Sequence, residues 1–275
     1  MELKYFPFHG EDYKPQMGLK PLERANWIEF GSDAKDQLAL KERLLRDERD
    51  RVLIALPEAS EGCRELREVL GAHLHEFFSD RFPENPALRE QTSAVECMAE
   101  LSRWTQEDWA LLSPRPPVRL EAASICFPSR WDLRTKIGRE SDAIHKPVPE
   151  FSSIAKPTQG FLERVSVDKP MWRLNWTIHD SDELFCPGPH PGRTDLTVEN
   201  VIDKTWLRVE RQTLRKLPRS GFVAFSIRTY VHSLRDVVQD SQRRMLLKAS
   251  LERVPAETAE YKGMGRLHRL LIDAL

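Results

Sequence analysis

The residues best able to do chemistry in this sequence are its histidines, of which 275 residues contain eight. An imidazole acts as base, acid or ligand near neutral pH, provided the backbone holds it in place. His73 and His75 lie two apart in a helical stretch, which splays them to different faces and suits packing or surface roles. His268, close to Arg266 and Arg269 in the last helical stretch, reads the same way. His145 differs in position. It ends a short helical run, and Pro147 and Pro149 stiffen the exit. An axial metal ligand needs such a fixed, neutral imidazole facing an apolar slot. The helix dipole, which favours histidine near a C-terminus, accounts for the same residue without any ligand.

Other familiar chemistries lack their residues. No H-E-x-x-H, 2-His-1-carboxylate or G-x-S-x-G spacing occurs, so common zinc-peptidase and α/β-hydrolase sites are not supported. G-x-G-x-x-G is missing as well; Gly263-Met-Gly265 is too short and sits in a helical context. There is no Walker A loop. Cys63, Cys97, Cys126 and Cys186 are isolated from one another and form no C-x-x-C pair, which argues against zinc ribbons and locally ligated iron–sulfur clusters. They read as reduced, buried thiols.

Charge narrows the partners. Lys and Arg total 42 against 43 Asp and Glu, a net charge of −1, so no basic excess is available to neutralise phosphates. The start, MELKYFPFHG, lacks a signal-peptide pattern, and no apolar run reaches the roughly 18 residues that cross a bilayer. A cytoplasmic protein without nucleic-acid or membrane partners is expected.

The elements that must position His145 follow from periodicity. Residues 1–112 read as mainly helical, with helices over 33–50, 60–79 and 93–111. In the second, Cys63, Leu66, Leu70, Leu74 and Phe77 form one stripe; in the third, Val95, Met98, Leu101, Trp104 and Leu111 do. The Pro-rich break 113–117 ends this block. Residues 113–232 read as a sheet-rich core: a strand over 118–126, a short helix over 131–145, and strands over 171–178, 205–214 and 222–231. The last two form an antiparallel hairpin with a loop longer than two residues. Helices over 233–252 and 257–275 close the chain. The fold class is α+β: a single domain built on an antiparallel sheet with N- and C-terminal helical elaborations.

Alternation assigns strand faces. Trp172, Leu174, Trp176 and Ile178 share one face of their strand, and Arg173, Asn175 and Thr177 the other. Trp206, Arg208, Glu210 and Gln212 fall together, as do Phe222, Ala224, Ser226, Arg228 and Tyr230. Val223, Phe225, Ile227, Thr229 and Val231 face away from that last set. One account is a sheet with one packed and one solvated face. The other is a ligand cavity over a face where aromatic, small and charged groups mix.

An ordered series of segments carries a family resemblance. Phe127-Pro-Ser-Arg-Trp131, Lys136-Ile-Gly138 and Ile144-His-Lys-Pro-Val-Pro149 are followed by Trp206-Leu-Arg-Val-Glu-Arg-Gln-Thr-Leu214, Leu217-Pro218 and Phe225-Ser-Ile-Arg-Thr-Tyr-Val231. Met17-Gly-Leu-Lys-Pro21, Trp27-Ile28 and Tyr261-Lys-Gly263 extend the series over nearly the whole chain. The set resembles the haem-dependent oxidative N-demethylase α-subunit family.

The resemblance implies a PAS-like fold holding haem b between the sheet and a helix. It implies oxidation of a small secondary amine such as dimethylamine by dioxygen, releasing formaldehyde and a primary amine. It places FMN, [2Fe–2S], NADPH and tetrahydrofolate on partner subunits, including a flavin/iron–sulfur reductase. His145 becomes the expected iron ligand, with His179 second. Glu210, Arg228 and Tyr230 become the expected distal catalytic group, and Lys136, Arg211 or Arg134 the expected propionate contacts. Two other readings carry distinct expectations. A PAS-type haem or small-ligand sensor would bind without turnover. A haem-free scaffold would leave Arg228 and Glu210 exposed.

Overall fold

The computed structural model of the chain describes residues 3–10, 18–88, 93–145, 149, 160, 165–189 and 191–275. Its centre is a seven-stranded antiparallel sheet. The strands are β1 (Lys20–Pro21), β2 (Leu53–Ala55), β3 (Asp108–Leu112), β4 (Leu120–Ser124), β5 (Met171–His179), β6 (Trp206–Lys216) and β7 (Val223–Ser233). Their spatial order is β1-β5-β6-β7-β3-β4-β2. The helices are α1 (Ala34–Asp47), α2 (Arg49–Val52), α3 (Ser60–Phe77), α4 (Ala94–Trp104), α5 (Ser141–His145), α6 (Leu234–Val237), α7 (Ser241–Arg253), α8 (Ala256–Tyr261) and α9 (Gly265–Ala274). The α+β class read from the sequence is the observed one.

The hairpin of β6 and β7 dominates the sheet. Eleven paired positions run from Trp206 opposite Ser233 to Lys216 opposite Val223. The Leu217 amide donates to the Phe222 carbonyl at 2.8 Å, and Gly221 supplies the positive φ (+74°) that an L-side chain rarely adopts. β-Branched and aromatic side chains in both strands suit a pleated surface.

Several expected elements change: the helices expected over 233–252 and 257–275 each divide in two, into α6 and α7 and into α8 and α9. The helix expected over 93–111 ends at Trp104, where Thr105 is extended, and Asp108–Leu112 is instead the strand β3. Trp109 and Leu111 fit either period, and pairing with β7 on one side and β4 on the other decides for the strand. The short helix expected over 131–145 divides into a 3-10 turn, Leu133–Thr135, and the helix α5. Gly138 separates them, with φ +75° and an amide that donates to the Leu120 carbonyl at 2.7 Å.

The sheet's two faces pack differently. On one, Trp109, Leu111, Ala122 and Ala224 meet Leu66, Leu70 and Leu74 of α3 and Met98 and Leu101 of α4. Farther along the same face, Ile178, Leu207, Val209 and Tyr230 meet Leu247, Leu251, Leu267 and Leu271 of the C-terminal helices. Each fully buried leucine among these contributes roughly 1.5–3 kcal/mol. This is the packed face. On the second face, a small cluster of Ala110, Leu120, Ala123, Ile125 and Leu133 carries half-buried Ile54, Leu112, Trp131, Ile144, Phe225 and Ile227 around it.

Candidate functional site

Pairing register decides which polar side chains meet. Glu210 lies opposite Asn175 on β5 and Thr229 on β7, so these three point to the second face. Arg208, Gln212, Arg173 and Thr177 share that face by alternation. Glu210 is buried. Its Oε2 accepts from Asn175 Nδ2 at 3.2 Å and Gln212 Nε2 at 3.0 Å. Its Oε1 faces Arg208 Nε at 3.7 Å, beyond hydrogen-bond reach. Arg208 is itself buried and is held by the carbonyls of Phe127 and Leu184, so the Phe127–Trp131 segment positions this cation.

Toward β3 and β4 the same face turns apolar. Ile144 of α5 packs against the same buried cluster as Phe225 and Ile227, which brings the end of α5 onto the face that carries Glu210. The Ser141 amide donates to the Val118 carbonyl at 2.8 Å and fixes the start of α5. Lys136 Nζ donates to the Ile144 carbonyl at 3.2 Å and holds its end, and burial lowers the pKa of that ammonium. His145 is the last residue of α5. Its side chain, and residues 146–148 of the same motif, lie outside what the structure describes.

The distal group expected from the sequence is divided by the sheet. Arg228 and Tyr230 lie on the packed face, opposite Arg211 and Val209, whereas Glu210 points to the other side. Arg228 is wholly buried, donates to Gln37 Oε1 at 2.9 Å and pairs with Asp33 Oδ1 at 3.1 Å. Tyr230 donates to Glu29 Oε2. Desolvation, then the Glu29 charge, raises its hydroxyl pKa above the usual range. Arg211, expected at a propionate, is buried on the packed face too. It donates to the carbonyls of Asn26 and Trp27 and lies 3.5 Å from Glu29 Oε1. Arg211, Arg228 and Tyr230 are therefore corrected to parts of a polar joint that fastens residues 26–33 to the sheet. The scaffold reading also fails on its own expectation, since Arg228 and Glu210 are both buried.

The remaining candidates separate as clearly. His179 is buried at the end of β5, with Nε2 at 3.2 Å from Ser129 Oγ. Arg134 pairs with Asp132 at an exposed turn. Sequence reasoning missed Asn175, Gln212 and Arg208 as neighbours of Glu210, although alternation had put each on the required face of its strand. Lys262, whose Nζ donates to Asn175 Oδ1 at 3.2 Å, carried no sequence signal beyond the Tyr261-Lys-Gly263 resemblance.

A family model for the haem-dependent oxidative N-demethylase, alpha subunit-like proteins matches residues 18–272. The chain belongs to this family. The match agrees with the resemblance carried by the ordered motifs. A family that depends on haem needs an axial ligand and an apolar slot for the macrocycle, rather than a cage of several ligands. Among the described residues, no group of three or more His, Cys, Asp or Glu side chains could hold a metal ion. The half-buried apolar side chains around Ile227 and Phe225, next to the helix that ends in His145, do suit a macrocycle. Among the described residues, no helix is long and apolar enough to cross a membrane.

Proposed function

We propose that the chain is the haem-carrying subunit of an oxidative N-demethylase for a small secondary amine such as dimethylamine. Dioxygen would be the oxidant, and electrons would come from a separate flavin/iron–sulfur reductase carrying FMN and [2Fe–2S] and drawing on NADPH. Tetrahydrofolate on a partner subunit would take the one-carbon product. A PAS-like description of the single domain and a cytoplasmic location belong to the same proposal.

One observation carries this reading. A buried carboxylate, Glu210, stands on the same sheet face as the apolar surface beside α5. His145 would hold the haem b iron through its imidazole. Lys136 would fix the end of the helix that presents it, and is the one propionate partner kept from the basic candidates. Bound haem would supply the site at which dioxygen reacts. Glu210 would bind the amine: its Oε1 would accept an N–H of a dialkylammonium, a charge-assisted hydrogen bond stronger than a neutral one. Asn175 and Gln212, both on Oε2, would keep the carboxylate from turning away. Ile227 and Phe225 would keep water from the alkyl groups.

Expression of the full chain with haem tests the reading. A Soret band is expected, with a shift on adding dimethylamine and loss of the band in His145→Ala. A protein that stays colourless after haem reconstitution would overturn the proposal. Haem binding without amine-dependent oxygen consumption, in the presence of an electron donor, would make it a sensor.

A further inference from the structure

We infer that Lys262 is a positioning residue for the Glu210 carboxylate and acts through the side-chain amide of Asn175, an assignment that rests on Glu210 being the amine-binding group. Lys262 lies in the turn between α8 and α9. Gly263 takes φ +70° there, and its carbonyl accepts from Arg130 Nη1 at 2.9 Å. Arg130 in turn pairs with the buried Asp180. The Lys262 carbonyl accepts from Thr177 Oγ1 at 2.8 Å. The turn is thus fastened at two successive carbonyls.

From this turn the ammonium reaches β5. Nζ donates to the Trp176 carbonyl at 2.7 Å and to Asn175 Oδ1 at 3.2 Å, and it stands 4.9 Å from the centre of the Trp176 ring. Donor chemistry then settles the orientation of the amide. An ammonium only donates, so it can engage Asn175 only through the amide oxygen. The amide nitrogen is left pointing at Glu210 Oε2, 3.2 Å away. A flipped amide would set N–H against ammonium and oxygen against carboxylate, and both contacts would be repulsive. Burial lowers the Lys262 ammonium to about 8, a shift that Glu210 opposes, and Nζ sits on two acceptor oxygens as a donor does. Lys262 therefore fixes the direction of a donor that in turn fixes the carboxylate, without touching a ligand itself.

A purely structural role, capping the Trp176 carbonyl at the edge of β5, makes a different forecast. Dimethylammonium chloride titrated at pH 7 into the haem-loaded full chain, followed by calorimetry, separates the two. Lys262→Met and Asn175→Ala should each weaken binding roughly five- to tenfold, the effect of losing one charge-linked hydrogen bond. The double variant should bind no more weakly than either single one, because both act on one path. Lys262→Arg, which still donates to both oxygens, should bind within about twofold of the parent. Additive losses in the double variant, or full affinity in Asn175→Ala, would overturn the inference. Asn175→Ala leaves the Trp176 cap in place, so full affinity there overturns the inference even if Lys262→Met fails to fold. Unchanged affinity in Glu210→Gln would remove the amine-binding reading and this inference together. Lost affinity in Glu210→Gln, with Asn175→Ala and Lys262→Met intact, would remove this inference alone.

Discussion

The two faces of β6 present a comparison within one strand. Arg211 on the packed face and Glu210 on the second face are adjacent in sequence, and both are buried. Arg211 is surrounded by groups that answer it: two carbonyls and the Glu29 carboxylate. Glu29 is itself a hub, accepting from Tyr5 at 2.6 Å, from Lys4 at 2.8 Å and from Tyr230. Burial alone would raise its carboxyl, but Arg211, Lys4 and the two hydroxyls bring it below the usual range. Glu210, in contrast, has two amide donors on one oxygen and, among the described residues, the more distant Arg208 facing the other. Buried charge thus serves cohesion on one side of the strand, and on the other it is the group to which we assign the amine. Burial does not tell the two apart; the distribution of partners around each oxygen or nitrogen does.

The largest test of this contrast is Arg228→Ala on the packed face. Removing a wholly buried guanidinium leaves the Asp33 carboxylate with the neutral amides of Gln37 and Gln106 but without its cation, and should cost about 3–5 kcal/mol in urea unfolding. A loss under about 1 kcal/mol would break the assignment of this face to cohesion. His73 comes next. It is caged by Trp27 and Phe77, with ring centres 5.1 and 4.7 Å away, and burial, with the Arg215 and Arg24 charges adding, pushes its imidazole down to about 3. The folded value lies below the unfolded 6.5, so the unfolded chain binds a proton that the folded chain refuses. Stability is therefore lost as pH falls from 6.5 toward 3, by up to about 1.4 kcal/mol per unit. Unfolding measured at pH 7 and pH 5 should show that slope, and His73→Phe should flatten it.

Smaller effects sharpen the second face. Glu210→Gln should weaken dimethylammonium binding roughly tenfold while changing stability by less than about 1 kcal/mol. A stability loss as large as that of Arg228→Ala, with amine affinity intact, would make Glu210 a cohesive residue as well. Tyr230→Phe should be the mildest, about 1 kcal/mol of stability with amine affinity unchanged, because Glu29 keeps Tyr5, Lys4 and Arg211.

Much of the sheet was legible because strict alternation leaves a strong mark. β5, β6 and β7 begin and end within two residues of their expected bounds. β3 was not legible, because Asp108–Leu112 continues an apolar pattern that also suits a helix. β1 and β2 are two and three residues long and exist only through their partners, β5 and β4. For the site, alternation correctly grouped Arg208, Glu210 and Gln212 on one strand and Arg228 and Tyr230 on another. It did not show how the two groups combine. That depends on register across the hairpin, where Glu210 meets Thr229 rather than Arg228, and a one-residue slip would have exchanged the faces. An arginine is seldom buried without a partner, so periodicity alone favours a solvated face for Arg228 and only the family resemblance sets it in a pocket; its partners, Asp33 and Gln37, lie far away in sequence.

That distance bears on how the chain is made. Arg211 and Arg228 stand directly opposite one another across the hairpin, a like-charge pair that opposes strand pairing when left alone. The acids that neutralise them, Glu29 and Asp33, lie 182 and 195 positions earlier. On the ribosome, those acids emerge long before their counter-charges, and the two halves of the joint cannot meet until β7 is synthesised. Completion of the sheet and closure of the joint are therefore one event, and a product truncated before β7 would carry Glu29, Asp33 and Arg211 in an unfinished joint.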